Sequence, residues 1–150
     1  MNKLLILVVV LFVAGWVIYD YRTPPSTTGN PPPVATSTVP NPKSDLIVVD
    51  APTPNMVVNS PFVIHGKARG YWFFEASFPV ELRDMQGNIL QVMIAQAQGE
   101  WMTTEFVPFT ANLIFTKPAT PMPAVLVFKK DNPSVLPEND DSVEIPVIIQ

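Results

Sequence analysis

The sequence predicts an all-β domain in residues 45–150, and three observations support this prediction. The segment contains many short runs rich in Val, Ile, Phe and Thr, separated by Pro, Gly, Asn and Asp. Several runs alternate apolar and polar residues with a period of two, which is typical of strands with one buried face. No stretch after residue 20 shows a sustained helical period. The length fits a single domain with one core.

An unbroken apolar run, Leu4 to Tyr19, precedes this domain and follows a single basic residue, Lys3. As a helix it would reach about 24 Å, slightly short of a ~30 Å hydrocarbon core. Trp16 and Tyr21 lie near its far end, where aromatic rings favour the headgroup layer. We expect residues 1–22 to be a single-pass transmembrane helix in the cell membrane, with the following domain extracytoplasmic.

A cleaved signal peptide is the alternative interpretation of the same run. Val13 and Gly15 are small enough to precede a cleavage site. Bulky residues follow them at once, from Trp16 to Tyr19, and these favour a retained anchor.

A segment rich in Pro, Ser and Thr, residues 23–44, separates the apolar run from the domain. Between Thr23 and Pro42, seven residues are Pro and seven are Ser or Thr. Such a composition cannot bury enough apolar surface to fold by itself, and it favours extended polyproline II. We therefore predict a disordered linker that acts as a stalk of roughly 60 Å.

The first strands of the domain follow from alternation and turn chemistry. Leu46–Val49 is predicted as a strand, and a turn region extends from Asn55 to Ser60. Alternation then predicts strands over 62–69 and 78–83, and a turn at 84–88 in which Gly87 takes a positive φ. The inward residues of these two strands are predicted to be Phe62, Ile64, Gly66, Ala68, Phe78, Val80 and Leu82.

The remaining strands complete the pattern. Residues 89–97 form the hairpin partner of the preceding strand, and 103–115 form a longer strand region with a bulge or an edge at Pro108. Val125–Phe128 is a short buried strand. The last strand, 143–149, contains Pro146, which fits only where no backbone N–H is needed. About seven strands with frequent turns predict an immunoglobulin-like β-sandwich.

Several segments resemble the immunoglobulin-like domain of bacterial spore germination. The resemblance covers nearly all of 45–150 and respects the order of the family's motifs. The segments that carry it are Ile64–Phe78, Leu82–Gly87, Gly99–Trp101, Pro108–Phe109, Asp131–Ser134 and Ser142–Val147. It implies the same sandwich fold and a relation to sporulation or germination.

The charge of the domain restricts the classes of ligand that it can bind, and its cysteine content shows how it can be stabilised. Residues 45–150 contain twelve acidic and six basic residues, a net charge of −6. Such a surface repels phosphate backbones, so we expect no nucleic-acid partner. The chain has no cysteine, and its stability must therefore come from packing without disulfides. We expect no cofactor.

Aromatic residues are the candidate binding residues. Tyr71, Trp72, Phe73, Glu75 and Trp101 are predicted, as a group, to form a surface for a protein or for glycan rings. Strand alternation offers a structural alternative in which Trp72 and Phe74 point into the core while Tyr71 and Phe73 cover an edge. Trp101 would then pack over the end of the sandwich.

No catalytic or metal site is predicted, and we do not expect an enzyme. His65 is the single histidine, and neither further His or Cys ligands nor a Gly-x-Ser-x-Gly turn accompanies it. The acidic loop 138–142 offers oxygen ligands for calcium but lacks the spacing of a dedicated calcium loop, which favours a solvated loop.

These observations predict a membrane-tethered binding or assembly module of the bacterial cell envelope. Its partner would be an envelope protein or glycan, bound by surface complementarity or by strand addition at a sheet edge. An enzyme or accessory acting on peptidoglycan is an alternative, because the sequence does not tell whether two of its carboxylates face each other across a cleft. A spacer domain without a ligand is a third possibility.

Overall fold

The computed structural model describes residues 41–150, all of which belong to one compact unit. The fold is all-β, as predicted, and contains eight strands and two short 3-10 helices. The helices span Gly70–Trp72 and Pro137–Asn139. The strands are β1 (Ile47–Ala51), β2 (Met56–Val58), β3 (Phe62–Arg69), β4 (Ser77–Asp84), β5 (Ile89–Ala97), β6 (Phe106–Leu113), β7 (Met122–Lys129) and β8 (Ser142–Ile149).

The strands form two layers that share one continuous hydrogen-bonded order, β1-β3-β6-β5-β4-β7-β8-β2. The first layer contains β1, β3 and β6, and the second contains β5, β4, β7, β8 and β2. Only two residue pairs join the layers along the ladder: Gln96 with Thr110, and Ala97 with Phe109. This arrangement confirms the predicted immunoglobulin-like sandwich.

Strand β2 is an element that the sequence did not predict. Residues 55–60 were expected to be a turn region, but Met56–Val58 pairs in parallel with Val147–Ile149 of β8. The preceding strand, β1, pairs with β3 in the other layer. The amino-terminal part of the domain therefore contributes one strand to each layer. A three-residue strand has too few positions to show alternation, so only its pairing with β8 reveals it.

The core lies between the two layers and is built by the predicted alternation. Ile64, Gly66 and Ala68 of β3 point inward, and so do Phe78, Val80 and Leu82 of β4. A row of aromatic rings crosses from layer to layer. The centroids of Phe78 on β4 and Phe109 on β6 lie 5.0 Å apart in an edge-to-face arrangement. Phe73 and Phe128 extend this row, at 5.1 Å from Phe78 and 6.1 Å from Phe109.

The two strand prolines named above, Pro108 and Pro146, occupy positions that need no N–H donor. Pro146 pairs with Val125 of β7, and on the opposite side its carbonyl accepts a bond from the Asn55 N–H at 2.7 Å. Pro108 pairs with Lys67 of β3, and its carbonyl accepts from the Gln98 N–H at 2.8 Å. Each proline therefore faces the side where its own strand has little or no partner.

The folded domain includes residues that composition had assigned to the stalk. The Asn41 side chain donates to the Ile47 carbonyl at 2.7 Å, and Lys43 donates to the Ser142 carbonyl at 3.0 Å and forms an ion pair with Asp141. Asn41 and Lys43 thus belong to the folded domain. The predicted anchor, 1–22, and the stalk as far as residue 40 lie outside the described residues. Within residues 41–150, no helix is long and apolar enough to span a membrane.

Candidate binding surface

Three connections meet at one end of the sandwich, residues 70–76, 98–105 and 130–141, which we call the loop end. The Gly70 N–H donates to the Glu105 carbonyl at 3.1 Å, and the Asp131 N–H donates to the Trp72 carbonyl at 3.0 Å. The first connection is therefore held by both of the others. All five predicted binding residues lie in the first two connections.

The segment from Gly70 to Phe74 does not continue the strand pattern, because Gly70–Trp72 forms a 3-10 helix. Trp72 and Phe73 consequently belong to the core, and Phe73 is only 4% exposed. Tyr71 and Phe74 are 50% and 41% exposed. The predicted placement of Trp72 and Phe73 on a binding surface is thus corrected. The alternative, based on strand alternation, is right for Trp72 but wrong for Phe74, which is exposed, and for Phe73, which is buried. A 3-10 turn shifts the side-chain directions away from the period of two.

Glu75 lies at the tip of a tight turn that joins Phe74 to Ser77. These two residues exchange backbone hydrogen bonds of 3.0 and 3.1 Å. The central residues, Glu75 and Ala76, have φ values of +49° and +61°, as a type I′ turn requires. Glu75 is exposed, so it needs no buried partner.

Trp101 is half-buried and packs against the core from the second connection. The backbone of Trp101 and Thr103 lies directly against Gly70, which has no side chain to prevent this approach. Met102, between them, is exposed. The loop end therefore presents Tyr71, Phe74 and Met102 to solvent, with part of Trp101. Phe74 was missed as a surface residue because a 3-10 helix of three residues leaves no periodic signal in the sequence.

The side chains of Arg69 and Arg83 contact residues other than Glu75. Arg69 donates to the carbonyls of Asp45 and Thr104 at 3.0 and 3.2 Å. Its guanidinium also lies 4.1 Å from the ring centroid of Phe106, a cation–π contact. Arg83 donates to the carboxylate of Glu81. Neither arginine has a hydrogen bond or an ion pair to Glu75.

Glu81 is the one buried charged residue of the described part, at 7% exposure on the outer face of the second layer. Arg83 donates to one of its oxygens, from Nε at 2.8 Å, and Lys129 donates to the other at 3.3 Å. Burial opposes ionisation, but these hydrogen bonds and positive charges outweigh it and lower the pKa of Glu81. The cluster fixes β4 to β7 and is structural in character.

A second carboxylate with a shifted pKa stabilises the β4–β5 turn. Asp84 accepts bonds from the Asn88 side chain at 2.8 Å and from the N–H groups of Gln86 and Asn88 at 2.9 Å. The bond from the Asn88 side chain is the main cause that lowers the pKa of Asp84. Gly87 has φ +85°, as predicted for this turn.

The other candidate sites have simple structural roles. His65 is exposed on the outer face of β3. In the third connection, Asn132 donates to Asp140 at 2.7 Å and to the Leu136 carbonyl at 2.8 Å, so the loop is held by its own hydrogen bonds. In the part of the chain that the structure describes, His, Asp and Glu side chains form no group of three that could hold a metal ion.

A groove of about 340 Å³ follows the first half of β8, where β2 does not extend. Residues 41–43, Pro54 and Ser142–Pro146 line it. The Lys43 side chain and the Asn55 N–H already bind the carbonyls of Ser142 and Pro146 on this side of β8. Strand addition at this edge would have to compete with these contacts.

Comparison with known proteins gives one match. Residues 46–134, more than half of the chain, match the family model described as the immunoglobulin-like domain of bacterial spore germination. Searches of curated proteins and of solved structures give no significant match. The match extends from the residue before β1 through β7 into the third connection of the loop end. The chain therefore belongs to the family of immunoglobulin-like domains of bacterial spore germination.

Proposed function

We propose that this protein is a binding or assembly module of the bacterial cell envelope, tethered to the membrane on its extracytoplasmic side. In this proposal the apolar run Leu4–Tyr19 anchors the chain and the Pro-rich segment that follows acts as a spacer. The domain then binds an envelope protein or glycan. The family description, an immunoglobulin-like domain of bacterial spore germination, supports a germination-related role for such a module.

The observation that carries the proposal is the exposure of Tyr71 and Phe74 at the loop end. Aromatic side chains bring a large apolar area with few rotatable bonds, and they are enriched at protein interfaces. Both residues adjoin a well-fixed backbone, since Trp72 and Phe73 are buried and the following turn is closed by two hydrogen bonds. A surface fixed in this way loses little conformational entropy on binding.

A comparison of full-length variants tests this role. The double variant Tyr71→Ser, Phe74→Ser should lose most of its retention on isolated cell walls. If the partner is an envelope protein, the variant should recover much less of that protein than the natural chain does. The control is Val63→Ser, which changes an exposed apolar residue on the outer face of β3, away from the loop end. Equal retention of the double variant, the control and the natural chain would contradict the proposal.

The same incubation separates binding from catalysis. A binding module should be retained on cell-wall material without releasing soluble fragments. Released fragments would favour the alternative, an enzyme or an accessory acting on peptidoglycan.

The tether has its own test. Mass spectrometry of the mature protein should find the intact amino terminus and fractionation should recover the protein with membranes. A product that begins near Trp16 would remove the tether from the proposal.

A further inference from the structure

Strand β5 has one edge that is open over most of its length. It pairs with β4 from Ile89 to Gln96, but β6 lies beside it only at Gln96 and Ala97. In the described part of the chain, no strand pairs with residues 89–95 on that second side. A row of backbone groups is therefore available for pairing.

The hydrogen bonds at the end of β5 show which residues face the open side. The Ala97 N–H donates to the Ala76 carbonyl, on the β4 side, at 2.8 Å, whereas the Gln98 N–H donates to Pro108 of β6. Because successive residues of a strand alternate, Val92 and Ile94 direct their N–H and C=O groups to the open edge. The Val92 carbonyl accepts a bond of 3.1 Å from the Gln91 side-chain amide. Because the Gln91 side chain lies at the surface, it can release the Val92 carbonyl, which can then accept a bond from a backbone N–H of an added strand.

The side chains of this edge are apolar and face solvent. Val92 and Ile94 are 48% and 49% exposed, and Leu90 is exposed as well. The segment Ile89–Gln98 contains no charged residue and no proline, although the domain around it is acidic. Exposed strand edges usually carry a lysine, a proline or a bulge that prevents further pairing.

The other strand edges of the described domain carry such features. They are the bulge of β1 between Val49 and Ala51, the short length of β2, the Lys43 and Asn55 contacts along β8, and Pro108 in β6. Strand β5 also has a register shift, at Leu90, because Leu82 pairs with Gln91 and Arg83 with Ile89. Beyond it, residues 91–95 form a regular open edge without a charged residue, a proline or a bulge. This contrast indicates that its open edge has an occupant.

We propose that this occupant is β5 of a second copy of the chain, paired antiparallel about a twofold axis. Two domains of net charge −6 repel each other over most approaches, but a neutral apolar edge is complementary to itself. Within the regular open segment, 91–95, Val92 and Ile94 direct their backbone groups outward, and Ile94 lies next to Gln96, which already pairs with β6. We therefore place the axis at Val92. It pairs Val92 with Val92 of the second copy and Gln91 with Met93, and it joins two sheets into one.

This register makes a specific prediction for cross-linking. Paired residues that exchange hydrogen bonds have Cα atoms about 5.5 Å apart, within the range that a disulfide spans. Because the natural chain lacks cysteine, a Val92→Cys variant of the full-length protein carries a single thiol. Mild oxidation should convert it to a covalent dimer. The matched control is Val63→Cys on β3, an outer-face strand residue that is 56% exposed.

We expect at least about tenfold more dimer from Val92→Cys than from Val63→Cys at equal protein concentration and time, because paired thiols react at a high effective concentration. Equal yields from the two variants would overturn the proposal, and so would a Val92→Cys variant that stays monomeric.

A charge on the edge provides the second test. Val92→Lys in the full-length chain should convert the dimer to a monomer in light scattering, while Val63→Lys should leave it dimeric. Circular dichroism confirms that both variants remain folded. A Val92→Lys protein that remains dimeric, or a natural chain that is monomeric at every concentration tested, would exclude pairing through β5.

Discussion

Gly70 lies so close to the backbone of Thr103 that a Cβ atom at position 70 would come within 1.9 Å of the Thr103 carbonyl oxygen. The Trp101 carbonyl would be 2.3 Å away. Both obstacles are backbone atoms, which cannot swing aside as a side chain would. The contact between the first two connections of the loop end therefore depends on glycine at this position.

Gly70→Ala should lower the free energy of unfolding by about 1–3 kcal/mol, because the two connections must separate to admit the methyl group. Denaturant unfolding measures this loss. Gly87→Asn is the control, since no atom lies within 4 Å of a Cβ at that position and asparagine tolerates a positive φ. A Gly70→Ala protein as stable as this control would show that the loops do not meet as described.

Phe73 and Phe74 are neighbours in sequence with opposite environments, and their alanine variants should differ accordingly. Phe73→Ala removes a buried ring that contacts Phe78, with an expected loss of about 3–5 kcal/mol. Phe74→Ala changes an exposed ring and should cost less than about 0.5 kcal/mol. Thermal or denaturant unfolding compares the two. If Phe74→Ala were the more destabilising variant, strand alternation would hold through this segment after all.

Glu81 should make the stability of the domain depend on pH. Its pKa is lowered in the folded state, so its ion pairs contribute fully above the ordinary carboxyl value of 4.5 and are lost as the pH falls through the lowered pKa. Glu81→Gln should cost about 1.5–3 kcal/mol at pH 7, since it weakens hydrogen bonds to Arg83 and Lys129. This difference from the natural chain should shrink in acid.

Unfolding curves at a series of pH values measure the effect of Glu81→Gln. The control is Glu144→Gln, which changes an exposed carboxylate on β8 and should stay within about 0.5 kcal/mol. A Glu81→Gln loss that is the same at pH 3 and pH 7 would mean that ionisation of Glu81 does not stabilise the fold.

Substitutions in the turn at Glu75 and Ala76 should raise the free energy of unfolding. Both residues have left-handed backbone angles, which cost most residues about 1 kcal/mol each. The pair Asn-Gly suits a type I′ turn. The double variant Glu75→Asn, Ala76→Gly should therefore gain about 1 kcal/mol in unfolding free energy. Ala97→Gly in strand β5 is the contrasting control and should lose stability, because glycine weakens a strand.

Alternation predicted the parts of the fold in which each strand buries one face. In β3 and β4 the inward residues were named correctly, since a period of two needs only local sequence. Strand β2 was missed because its three residues depend on β8, about ninety positions away in the chain. Contacts of this kind leave no local pattern.

The candidate site could be predicted only in its location. The aromatic cluster marked the loop end, but which rings are exposed depends on the 3-10 helix at Gly70–Trp72. Glu81 lies on the polar face that alternation assigned to it, and its burial comes from the side chains of Arg83 and Lys129 above it. The open edge of β5 did have a signal in the sequence: apolar residues occupy both faces from Ile89 to Ile94.

The contacts of Asn41 and Lys43 have a consequence for how the domain is oriented. Lys43 binds Asp141 and the Ser142 carbonyl, next to the third connection, so the polypeptide joins the sandwich at the end that bears Tyr71 and Phe74. Asn41 itself lies near Pro54 and the first half of β8, along the groove on that flank. In the second layer β8 and β5 are separated by β4 and β7, so residues 41–43 and the open edge of β5 lie on opposite flanks of the layer, and a partner can pair with β5 without meeting them.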